Sequence, residues 1–107
     1  MRWLIKILRK LAWWLNPTYK NVFVPDPPEA LVNKTVYIVG HTGNAWMLSF
    51  KCPCGCKNPV QLNLLKEANP RWKFRIIDNK IDIVPSIWRT EGCKSHFILR
   101  RGKIIWS

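Results

Sequence analysis

This sequence predicts a small, mainly β protein: an antiparallel β meander stapled by a zinc site and preceded by an amphipathic α-helix. Three observations carry the prediction. From residue 31 onward, runs rich in β-branched and aromatic residues alternate with turn signals. Three of the four cysteines crowd into five positions, 52 to 56. The first 16 residues have helical periodicity and contain no acid.

Length and composition set the bounds. At 107 residues there is room for one domain. Apolar residues make up 48% of the chain and seven positions are Trp, which excludes a disordered composition. The formal charge of +12 calls for anionic partners. Five of the basic residues lie in residues 1–25, beside no acid. In residues 26–107 the other 13 face all six acids, for a net +7.

Residues 1–16, MRWLIKILRKLAWWLN, form the predicted helix. At about 100° per residue, Arg2, Lys6, Arg9 and Lys10 fall on one arc, and Leu4, Ile5, Leu8, Leu11 and Leu15 fill the opposite face. Pro17 ends it, because the residue before a proline is pushed out of the α region. A spanning helix needs about 20 mostly apolar residues. Lys6, Arg9 and Lys10 interrupt this one, and no small-residue cleavage site marks a signal peptide. A basic face opposite a Trp- and Leu-bearing face suits an anionic membrane surface. The alternative is packing on the protein's own sheet or on a partner. The expected location is cytoplasmic, free or peripheral on the inner face of a membrane.

Residues 17–30 read as a proline-rich linker, with NVFV as a short edge strand. Four prolines between residues 16 and 30 exclude a regular helix or a central strand. Residues 31–107 form the predicted zinc-binding β domain. VNKTVYIVG is a strand, HTGN a turn containing His41, and AWMLSFKC a strand running into the cysteines. VQLNLL leaves the cluster as a strand. WKFRII-DN-KIDIV and FILR-RG-KIIW are two hairpins, joined by VPSIWRTEG as a connector. Five to seven strands follow from this reading.

A core of this size supplies only about 3–5 kcal/mol and commonly needs a staple. Disulfides fit poorly: Cys52, Cys54 and Cys56 crowd one another, and no secretory signal supports an oxidising compartment. Zinc fits better, because it takes four thiolate or imidazole ligands in a tetrahedron. Five candidates are on offer: Cys52, Cys54, Cys56, Cys93 and His96. Gly55 permits a tight turn that points N–H groups at sulfur. Cys54, at the apex, is the candidate the spacing marks as dispensable. Four thiolates without His96 also complete a tetrahedron.

In order and spacing, residues 50–107 resemble a small bacterial and phage zinc-binding family. The motifs are Cys52-Pro53-Cys54-Gly55-Cys56, Pro70-Arg71-Trp72, Pro85-Ser86-Ile87, Cys93-Lys94-Ser95-His96-Phe97 and a final Trp106. Lys57 stands where the family pattern has a second glycine. Members are often encoded beside bacterial ubiquitin-like conjugation genes. The resemblance implies zinc binding and handling of a ubiquitin-like protein or its conjugation enzymes; it leaves open whether the chain is catalytic.

Three functions follow as expectations. The first is an accessory or interaction module with a structural zinc. The second is a zinc- or thiol-dependent hydrolase processing a ubiquitin-like protein. In that reading a spare cysteine is nucleophile, or His96 is a base beside Ser95 or Ser86, with Glu91 and Asp82 the few carboxylates at hand. The third is nucleic-acid binding through Lys51, Lys57, Lys94, Arg100, Arg101 and Lys103, with Trp72, Trp88 and Trp106 stacking on bases.

Overall fold

A computed structural model describes residues 18–41, 43–56, 58–89 and 93–106. The predicted helix of residues 1–16 lies outside them, as do Lys57 and Glu91.

Eight strands form two four-stranded sheets: β1 (Lys20–Val24), β2 (Thr35–His41), β3 (Asn44–Lys51), β4 (Pro59–Asn63), β5 (Lys73–Ile77), β6 (Lys80–Trp88), β7 (His96–Arg100) and β8 (Lys103–Trp106). Each sheet runs in sequence order, β1-β2-β3-β4 and β5-β6-β7-β8. The mainly β expectation holds, but one sheet became two and a single pair departs from the antiparallel pattern. β1 runs parallel to β2, with Phe23 opposite Ile38. Parallel neighbours need a crossover. The ten residues from Pro25 to Lys34 provide it, since an extended chain of that length reaches about 33 Å.

Both hairpins lie where the sequence puts them. Asp78 and Asn79 have φ of 51° and 62°, and Arg101 and Gly102 have 50° and 74°. Positive φ at both central residues matches the right-handed twist of the flanking strands. Gly102 also sits close under Thr18, whose Cγ2, 2.5 Å from a Cβ placed there, would have to move.

The two sheets share one core. β4 shows why: Val60 and Leu62 are buried while Pro59, Gln61 and Asn63 are exposed, a clean period of two. Val36, Ile38, Leu48 and Phe50 of the first sheet meet Ile81, Ile83, Phe97 and Leu99 of the second. Phe50 and Phe97 are fully buried and meet edge to face at 6.2 Å. Tyr19, two residues past the predicted helix's proline, packs on Phe50 at 6.4 Å. Its N–H donates to Gly102 O, tying the segment before β1 to the last hairpin.

The stretch read as a connector, VPSIW, is instead the second half of β6. Its pairing with β7 jumps from Ile83↔Leu99 to Ile87↔Phe97, so four steps on β6 match two on β7. Val84, Pro85 and Ser86 form the resulting bulge and are exposed. Proline is tolerated at such a place because the ladder is already interrupted. The proline and serine hid the strand from a pattern reading.

Candidate functional site

The cysteine cluster forms where β3 ends and β4 begins. Lys51 pairs with Pro59, and Cys52 N–H donates to Asn58 O at 2.9 Å, so the loop between them is pinched at its base. Gly55, at φ 92°, takes the left-handed turn that lets residues 54–56 fold back. The Cys56 N–H then points at Cys54 Sγ, 3.4 Å away. Cys93 enters from the chain between β6 and β7, just before His96.

The four thiols converge. All four Sγ atoms lie within 4.8 Å of one another. Cys52 Sγ is 3.4 Å from Cys54 Sγ and 3.5 Å from Cys93 Sγ. In a tetrahedron of about 2.3 Å zinc–sulfur bonds the sulfurs stand about 3.7 Å apart. The set therefore fits a four-thiolate ion with only small adjustments. Cys52 is buried in the core, Cys93 is half-buried, and Cys54 and Cys56 are at the surface.

The thiols differ in acidity. Burial first, then hydrogen bonds in which it is the donor, push Cys52 up to about 12. The Ser95 side chain, 3.1 Å from Cys93 Sγ, and the Ser95 backbone hold Cys93 at about 6. The Cys56 N–H lowers Cys54, helped by the Ser95 side chain. A divalent cation at the centre would favour the thiolate at all four, the buried Cys52 included.

His96 is not part of this group. Its Nε2 lies 3.0 Å from Ser86 Oγ, and its ring stacks on Trp88 at 5.7 Å and 26°. The sheet explains the meeting. Trp88 is directly opposite His96, and Ser86 sits two residues away on the same face of β6. Ile87 and Phe97, the alternate pair, point into the core. The bulge re-aims Ser86 toward the imidazole, which a diagonal neighbour in a flat ladder reaches less readily. Ser95, the other serine named from sequence, is bonded to Cys93 instead.

The carboxylates fall elsewhere. Asp82 binds Arg75 Nε at 3.0 Å and accepts the Arg101 N–H. Among the described residues no carboxylate is hydrogen-bonded to His96. Trp88, 66% exposed, holds the ring by its face. Sequence reasoning missed that role, although the two-residue spacing of Ser86 and Trp88 within one strand was its signal. Among the described residues no helix is long and apolar enough to cross a membrane.

Fold and site thus define a small two-sheet β protein in which a four-thiol centre lies beside a serine–histidine pair. A family model described as "BubE: Bacterial ubiquitination-like system serine protease (BubE)" matches residues 23–107, and the chain belongs to that family. Neither a curated protein nor a solved structure matches the chain.

Proposed function

We propose that this chain is a serine-dependent peptidase of a bacterial ubiquitin-like system, with Ser86 as nucleophile and His96 as general base. The observation that carries the reading is the 3.0 Å approach of Ser86 Oγ to His96 Nε2. Nucleophile and base within hydrogen-bond reach are the basic requirement for acyl transfer by serine. The family's description as a serine protease supports the same pair. Its link to a ubiquitination-like system makes a ubiquitin-like protein the favoured substrate.

The chemistry runs in two steps. Ser86 Oγ attacks the scissile carbonyl carbon while His96 Nε2 takes the hydroxyl proton. His96 gives that proton to the leaving amine as the C–N bond breaks, leaving an acyl ester on Ser86. Water then attacks the ester. His96 takes a proton from the water and returns it to Ser86 Oγ as the acid product departs. The negative face of the Trp88 indole favours the imidazolium formed in each step.

Zinc is the proposed resident ion, bound by Cys52, Cys54, Cys56 and Cys93, and its role is structural. Four protein thiolates close the coordination shell and leave no open position for substrate or water. The ion would join the β3–β4 loop to the chain entering β7, three residues before His96. It thereby fixes the base through the backbone.

The test is incubation of purified protein with a fluorophosphonate probe and with β-casein. Labelling confined to Ser86 and lost in Ser86→Ala and His96→Ala is the expected result. A Ser86→Ala protein that still cleaves β-casein overturns the assignment. Wild-type protein that neither takes the label nor cleaves β-casein overturns it as well, and leaves the accessory reading, a zinc module without catalysis. The lack of an acid bonded to His96 among the described residues is the observation in its favour.

A further inference from the structure

β6 has a neighbour on both sides only along its first half. β5 begins at Lys73, opposite Val84, so beyond Val84 the only neighbour of β6 is β7, with which Ile87 and Trp88 pair. β4 ends the other sheet and pairs only with β3. These two unpaired edges face one another. Between them lies a cavity of about 260 Å³, walled by Pro59, Gln61, Ile87, Trp88 and Arg89, with Trp72 at one end.

The width of that gap is set by the chain itself. Trp72 N–H donates to Asn63 O on β4, and the next residue, Lys73, pairs with Val84 on β6. One strand's breadth therefore separates the two edges there. Before Trp72 the chain turns away, with Arg71 Nε bonded to Leu64 O. The line of β5 continues as a groove, and Arg89 Nη1 reaches across its far end to Pro59 O at 3.4 Å.

Both walls present main-chain groups. Arg89 donates its N–H to Ser95 O, so it faces β7. Alternation then turns the amide and carbonyl of Trp88 toward the groove. On β4 the carbonyls of Pro59 and Asn63 bond away from β3, to Arg89 and Trp72. By the same alternation the amide and carbonyl of Gln61, midway between them, face the groove as well.

We infer that this groove seats one extended segment of polypeptide, added as a strand in the line of β5 and leading its scissile bond to Ser86. The inference rests on the peptidase reading above and names the substrate class: an unstructured tail recognised through its main chain. Strand addition to an open sheet edge draws affinity from backbone hydrogen bonds and is tolerant of side chains. A folded, compact substrate has no free strand to offer and is excluded by the one-strand width.

The probe is β-casein, an unfolded chain, with the sites of cleavage located by mass spectrometry. Gln61→Pro removes the groove-facing N–H from an edge strand, where proline breaks no ladder bond. Its kcat/KM is expected to fall about tenfold or more, with the melting transition unchanged. A second measurement is independent of any variant's folding. The cleaved segment is resynthesised with single N-methyl amides, and cleavage is expected to drop at alternating positions. Uniform tolerance of N-methylation overturns the groove, as does labelling of Ser86 without cleavage of β-casein. Loss of the Ser86 requirement, by contrast, overturns the peptidase reading itself.

Discussion

The indole of Trp88 lies over the imidazole of His96, with ring centres 5.7 Å apart and planes inclined by 26°. The two residues are directly opposed on β6 and β7. The sheet register, and not a carboxylate, is therefore what the described residues use to hold the base. Trp88→Leu keeps an apolar side chain at this exposed position but removes the stacked face. The expected outcome is a fall in kcat of about tenfold against a nearly constant KM. Trp88→Phe should restore part of the rate, and steady-state kinetics on β-casein check this.

Zinc content decides the ligand set. One zinc per chain is expected, and a chelator should unfold the protein, because apparent zinc binding of about 10–16 kcal/mol exceeds the stability of a small core. Spacing singles out Cys54 as the dispensable thiol, yet its sulfur lies 3.4 Å from that of Cys52, inside the group. Each of the four Cys→Ser substitutions should therefore lose zinc, and His96→Ala should keep it. Metal analysis by mass spectrometry with a parallel melting curve checks both.

Phe97 joins the sheets through its edge-to-face contact with Phe50 and is fully buried. Phe97→Ala leaves a cavity at that junction and should cost about 3–5 kcal/mol. Ile98→Ala, one residue on and on the outer face, should cost far less. Denaturant unfolding of both variants, zinc loaded, measures the difference.

Asp82 couples the last hairpin to pH. The Arg101 N–H, and then Arg75, hold its carboxyl below the usual carboxylate range. A folded-state value below the unfolded one gives stability that is present above the ordinary carboxylate range and fades as pH falls through the depressed value. Asp82→Asn keeps an acceptor for Arg101 but removes the charge. Its melting temperature should lie below wild type at neutral pH and converge with it in acid. Thermal melts from neutral pH down into the acid range check the convergence.

The sequence by itself determined the strands and turns whose signals are local. The two-residue hairpin turns at Asp78-Asn79 and Arg101-Gly102 follow from backbone preference, and the buried–exposed alternation of Val60, Gln61 and Leu62 from a period of two. The convergence of Cys52, Cys54 and Cys56 was likewise fixed locally, because a loop of five residues pinched at its base has few places to put three thiols. What only the tertiary structure decided depends on register between distant segments. The parallel pairing of β1 rests on a ten-residue crossover that no local pattern specifies. The strand in VPSIW was concealed by a proline that a bulge makes harmless. The same bulge sends Ser86 to His96, and a one-residue change of register would turn their side chains to opposite faces of the sheet. Sequence could name both residues as candidates, and Ser95 equally. Only the pairing of β6 with β7 gave His96 to Ser86 and left Ser95 beside Cys93.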